Sequence, residues 1–128
     1  MMSEHDEQAA LFDWARDMER FMPALALLHC IPNGMFIAGN PRRRRGIMNK
    51  MKREGLKPGV PDVFLPIPRG KFPGFYIEMK VGRNKPTDNQ NQWLVALLEQ
   101  GYRVDVCYGA DDAIRAICDY LGIEDRFI

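Results

Sequence analysis

The first residues of the chain repeat apolar side chains at helical spacing. Leu11, Trp14, Ala15, Met18, Phe21 and Met22 fall on one stripe, and Pro23 closes it. This predicts an amphipathic helix over residues 3–22. The period then changes: an apolar run over 25–31 predicts a strand, closed by the turn Pro32-Asn33-Gly34. Pro41 opens a second helix reaching about Glu54, basic through its middle, with Ile47 and Met51 as its apolar contact and Gly55 as its stop. Two short runs at 62–65 and 75–80 follow, joined by a Pro- and Gly-rich connection at 66–74, which predicts a strand hairpin with a wide loop. Thr87 and Asp88 open a third helix carrying Trp93, Leu94, Leu97 and Leu98, and Gly101 ends it. Residues 102–108 alternate as a last strand. Asp111 or Asp112 then caps a helix bearing Ala113, Ile114, Ile117, Cys118 and Leu121. The order predicts an α/β fold, a small mixed β-sheet flanked by α-helices.

Length adds that all 128 residues form one domain, enough for a single core and too few for two. No stretch approaches the roughly 18 apolar residues of a membrane span, so no membrane partner is expected. The polar, acidic start, Met1-Met2-Ser3-Glu4-His5-Asp6-Glu7, argues against a signal peptide. Cys30, Cys107 and Cys118 form no CxxC pair, which argues against structural zinc and for a reducing cytoplasm.

The net charge of +1 announces no nucleic-acid binder, but the charge is unevenly spread. Arg42, Arg43, Arg44 and Arg45, followed by Lys50, Lys52, Arg53 and Lys57, concentrate basic charge in one region. Such a patch can engage a phosphate backbone in a chain that is nearly neutral overall. It can equally be a solvated helix face. Arg83 and Lys85 lie just beyond the second hairpin strand and can add a clamp.

Candidate chemistry sits on the hairpin. Asp62 follows Gly59-Val60-Pro61 and precedes Val63-Phe64-Leu65, while Glu78-Met79-Lys80 ends Phe75-Tyr76-Ile77. Charges among strand-forming residues are unfavourable unless paired or bound to metal. Glu78 and Lys80 are two apart, so a strand points them to one face, which Asp62 reaches if the runs pair. Two carboxylates beside an ammonium can hold Mg²⁺ or Mn²⁺ and place a water near a phosphate, the pattern of a metal-dependent nuclease. The plainer alternative is a same-face salt bridge between Glu78 and Lys80, worth about 0–1 kcal/mol if exposed.

Two further residues fall on buried faces. Glu7 projects near the centre of the first helix's apolar stripe, with Glu4 toward its edge and Asp6 pointing away. It is either a third metal-shell carboxylate or an acid favoured at a helix N-terminus. Gln90 shares the face of Trp93, Leu94 and Leu97, either as a capping or core hydrogen bond or as part of the site. His29 is read as a hydrogen-bonded core or strand residue.

With these residues laid out, the chain resembles the VRR-NUC family, a branch of the PD-(D/E)XK nuclease superfamily. The resemblance runs from about Glu7 to Leu121. It comprises the Glu7-Gln8 helix, the Pro32-Asn33-Gly34 turn, Gly55-Leu56-Lys57-Pro58-Gly59-Val60-Pro61-Asp62, Glu78-Met79-Lys80, Gln90-Asn91-Gln92-Trp93 and Gly101-Tyr102-Arg103-Val104. It implies a restriction-endonuclease-like core of phage or bacterial type, acting on structured DNA, with stand-alone domains pairing as homodimers that resolve four-way (Holliday) junctions. Asp62 and Glu78 would hold one or two divalent ions, the Met79 carbonyl would add a ligand, and Glu7 would complete the shell directly or through water. Lys80 would orient the attacking water or stabilise charge on phosphate oxygens, and Gln90 would hydrogen-bond the water, the phosphate or Lys80. Arg42, Arg43, Arg44, Arg45, Lys50, Lys52, Arg83 and Lys85 would contact the DNA backbone. The rival readings are a flap- or nick-directed nuclease of the same fold, a non-cutting module that binds branched DNA, and a DNA-binding regulator built on the basic helix.

Overall fold

The computed structural model describes residues 2–32 and 39–123. Helix α1 spans Glu4–Met18 and is opened by a capping box in which Ser3 and Asp6 bind each other's backbone N–H. It is shorter than the apolar stripe predicts. The N–H groups of both Phe21 and Met22 turn back onto the Met18 carbonyl, and Met22, ahead of Pro23, leaves the helical region at φ −136° and ψ 82°. The expected strand over 25–31 is also corrected. Pro23–Leu27 forms a 3₁₀ helix, whose threefold repeat buries Leu25 and Leu28 together, and β1 is only His29–Cys30. His29 is a strand residue but an exposed one, not a core residue. The expected turn at Pro32-Asn33-Gly34 lies largely outside the described residues.

Helix α2, Pro41–Arg53, is capped by Asn40 and buries no residue; Ile47, Met48 and Met51 are half-buried. Strands β2 (Val63–Leu65) and β3 (Phe75–Lys80) form the expected antiparallel hairpin. Helix α3, Asp88–Glu99, then returns the chain to β4, Arg103–Tyr108, which pairs parallel to β3. Among the described residues the sheet has four strands in the order β1-β2-β3-β4. Helix α4, Ala110–Leu121, is capped two residues before Asp111 and three before Asp112, the expected caps. Gly109 is its N-cap, and Asp112 instead accepts the Tyr108 N–H. Gly122, left-handed at φ 72°, ends it.

The sheet's two faces differ. Val63, Leu65, Phe75, Ile77, Met79 and Cys107 are buried in the core, together with Leu11 and Ala15 of α1 and Ala113, Ile114, Ile117 and Cys118 of α4. The alternate residues of β2 and β3, including Phe64, Tyr76, Glu78 and Lys80, lie on the opposite face, beside α3. Among the described residues, no helix is long and apolar enough to cross a membrane.

Candidate active site

Asp62 enters the hairpin from a turn that α3 holds in place. Gly59 has φ +96°, and a Cβ there would stand 2.6 Å from Asn89 Nδ2 and 3.0 Å from Trp93 Cδ1. Asn89 in turn donates to the Pro58 carbonyl at 2.7 Å. Both the backbone conformation and the close approach therefore require glycine. The buried Pro61 follows, and Asp62 Oδ2 accepts the Met79 N–H at 2.8 Å.

The β3–β4 pairing fixes how Met79 faces. The carbonyl groups of Gly74 and Lys80 accept from the N–H groups of Arg103 and Gly109, so even-numbered residues of β3 direct their backbone to β4. Met79 directs its N–H and carbonyl the other way, toward Asp62.

Glu78 is 1% exposed. Its Oε1 accepts from Gln90 Nε2 at 3.0 Å and lies 3.9 Å from Lys80 Nζ. Its Oε2 is buried with no partner among the described residues. Burial raises the Glu78 carboxyl to about 9, the neighbouring Asp62 adds to the rise, and Lys80 opposes it. An orphaned carboxylate oxygen in an interior that resists negative charge is suited to a cation.

Lys80 is itself 7% exposed and lies between two acids, with Glu4 Oε1 at 4.0 Å on its other side. The apolar stripe of α1 puts Glu4 at its edge and points to Glu7 instead. In the structure, Glu7 Oε2 accepts the Ala110 N–H at 3.0 Å and so caps α4, whose own N-cap is a glycine with no side chain to offer. Glu4, one turn earlier on the same face, reaches the lysine. The i, i+3 spacing of the two glutamates was the available signal.

Gln90 makes the expected capping hydrogen bond, and its second partner is Glu78, where Lys80, a water or a phosphate was expected. Its Oε1 accepts the Thr87 N–H at 2.9 Å in a capping box, while its Nε2 reaches Glu78. The basic residues lie on α2 and on the segment after β3. The side chains of Arg42, Arg43, Arg44, Arg45, Lys50 and Lys52 are exposed on α2, and Arg83 and Lys85 are exposed on the loop after β3. None of them pairs with a carboxylate among the described residues.

Among the described residues, no three His, Cys, Asp or Glu side chains gather into a metal-binding group. The available donors are the carboxylates of Asp62 and Glu78 with the Met79 carbonyl beside them. These are hard oxygen ligands and fit a small divalent ion, which commonly takes one or two carboxylates and fills its remaining positions with water and phosphate.

Comparison with protein-family models matches residues 3–111 to the VRR-NUC domain. Among solved structures, one described as a VRR_NUC domain protein aligns over 97% of this chain and 92% of its own, at 28% identity and a TM-score of 0.77. No curated protein matches the chain.

Proposed function

We propose that this chain, which belongs to the VRR-NUC family and carries a nuclease-type fold, is a divalent-metal-dependent DNA endonuclease. Its cutting groups in this reading are Asp62, Glu78 and Lys80. The observation that carries it is the buried Glu78 carboxylate, with one oxygen unpartnered among the described residues and Asp62 beside it. Asp62, Glu78 and the Met79 carbonyl hold Mg²⁺ or Mn²⁺, which when bound activates water and polarises phosphate.

The chain's own residues do the rest. Lys80, fixed between Glu4 and Glu78, directs its ammonium to the phosphate oxygens and stabilises charge that develops there. Gln90 holds Glu78 in one orientation, leaving Oε2 available. Glu7 braces α1 against the start of α4, which keeps Glu4 facing Lys80. The exposed basic side chains of α2, with Arg83 and Lys85, bind DNA backbone, positioning the substrate without reading its sequence.

The substrate we favour is a four-way junction cut by a homodimer, because two sites related by a twofold axis suit symmetric cleavage of two strands. Cleavage of labelled four-way junction, 5′-flap, nicked and linear duplex DNA tests this choice. Paired symmetric nicks at the junction are the expected result. Cutting confined to flaps or nicks would replace the junction reading with its nearest rival.

A further inference from the structure

The nuclease reading uses one end of a sheet face and leaves the other unassigned. On β3, Tyr76 lies two residues before Glu78 and on the same face; on the antiparallel β2 side, Phe64 lies two residues after Asp62. Phe64 and Tyr76 are direct cross-strand partners, with rings stacked at 4.2 Å and 23°. Tyr102 packs edgewise with both, at centroid distances of 6.0 and 5.2 Å. His29, opposite Phe64 across the β1–β2 pair, meets it edge-on at 5.8 Å. Gly74 allows Phe64 to lie close to the backbone, since a Cβ there would come within 2.7 Å of Phe64 Cε1.

Among the described residues this cluster is not closed over. His29 is exposed, Phe64, Tyr76 and Tyr102 are each partly exposed, and α3 packs on β4. Its polar heads are largely unspent. His29 Nδ1 lies 2.9 Å from the Leu27 carbonyl, which can only accept, so Nδ1 donates there, and Nε2 has no hydrogen-bond partner among the described residues. The hydroxyls of Tyr76 and Tyr102 have no hydrogen-bond partner among the described residues. Flat apolar surface edged with donors and acceptors, and carrying no formal charge, matches a nucleobase better than a phosphate.

We propose that His29, Phe64, Tyr76 and Tyr102 form a subsite for one unpaired nucleobase next to the cut phosphate. Its placement rests on the nuclease reading. Alternate residues of a strand are about 6.8 Å apart, so a phosphate held over Glu78 brings the base of an adjoining nucleotide over Tyr76. A base stacked inside a duplex cannot turn onto the sheet, whereas one at a branch point or flap can. The subsite therefore selects unpaired nucleotides by stacking, which tolerates any base.

The test is 2-aminopurine placed at the first unpaired nucleotide of a flap or junction, read with full-length protein at low salt in EDTA. Complex formation is followed separately by anisotropy. Stacking on the cluster quenches the probe, and the same probe inside paired duplex is unchanged. Tyr102→Leu and the exposed His29→Ala, each checked by thermal melting, should relieve the quench and weaken binding of unpaired substrates about tenfold, with no change on linear duplex. An unquenched probe in the complex, or equal losses on paired and unpaired DNA, overturns the proposal. Quenching without cleavage in any metal would strike the catalytic reading alone, and cleavage without quenching would strike this subsite alone.

Discussion

Gln90 gives its amide nitrogen to Glu78 Oε1 at 3.0 Å while its own oxygen caps the start of α3. One side chain thus couples a helix end to the buried carboxylate of the site. Gln90→Ala should cost about 1 kcal/mol through removal of the cap and lower cleavage at least tenfold. Gln90→Glu should lower cleavage further, because it sets a second negative charge against Glu78. Chemical denaturation and initial cleavage rates separate the two effects.

The raised Glu78 carboxyl makes the metal-free protein sensitive to alkali. Its folded value of about 9 stands above the ordinary 4.5, so the fold keeps a proton that the unfolded chain has released. Stability in EDTA therefore falls as pH rises between those values. Glu78→Gln should remove most of that slope and raise the melting temperature at pH 8, while abolishing cutting. Melts in EDTA from about pH 5 to 9 check this.

Mg²⁺ or Mn²⁺ should stabilise the wild type by roughly 2.7 kcal/mol at a hundredfold excess over its dissociation constant. Glu78→Gln and Asp62→Asn should each lose most of that response. A metal-induced shift that survives both substitutions would place the ion elsewhere.

Glu4 and Glu7 should separate cleanly. Glu7→Gln weakens the cap on α4 and should cost about 1 kcal/mol, with cleavage falling in proportion to the loosened helix. Glu4→Gln should leave melting nearly unchanged and alter cleavage through Lys80, most visibly as a shifted pH profile. The reverse pattern would return the third acidic position to Glu7.

The exposed arginines of α2 should act without sequence preference. Arg43→Ala with Arg44→Ala should weaken binding on all DNA and reduce the slope of log K against log salt by about 0.9 for each phosphate no longer neutralised. Binding titrations at several salt concentrations measure it.

The strands of the hairpin, α2, α3 and the Asp62, Glu78 and Lys80 cluster were legible because each depends on local period and turn chemistry. Thr87 with Gln90 three residues later is a capping pattern that can be read directly from the chain. What could not be read depended on distant partners. The run from Pro23 to Leu28 is apolar without a clear period, and its 3₁₀ form is set by Pro23 and by which leucines the core accepts. Glu7 and Ala110 are 103 residues apart, and nothing near either residue announces that one caps the other's helix. Gly109 removed the local cap that Asp111 and Asp112 had suggested. The aromatic cluster likewise required the strand register that sets His29, Phe64 and Tyr76 side by side.

The decisive measurement is cleavage of a labelled four-way junction in Mg²⁺, Mn²⁺ or EDTA, by wild type, Asp62→Ala and Lys80→Ala. The wild type should cut in either metal and not in EDTA. Asp62→Ala should give no detectable cutting and Lys80→Ala a loss of about 10²–10³, with DNA binding largely retained in both. Wild-type rates from Lys80→Ala, cutting that persists in EDTA, or tight binding without cutting in either metal would contradict the assignment of a metal-dependent nuclease built on these residues.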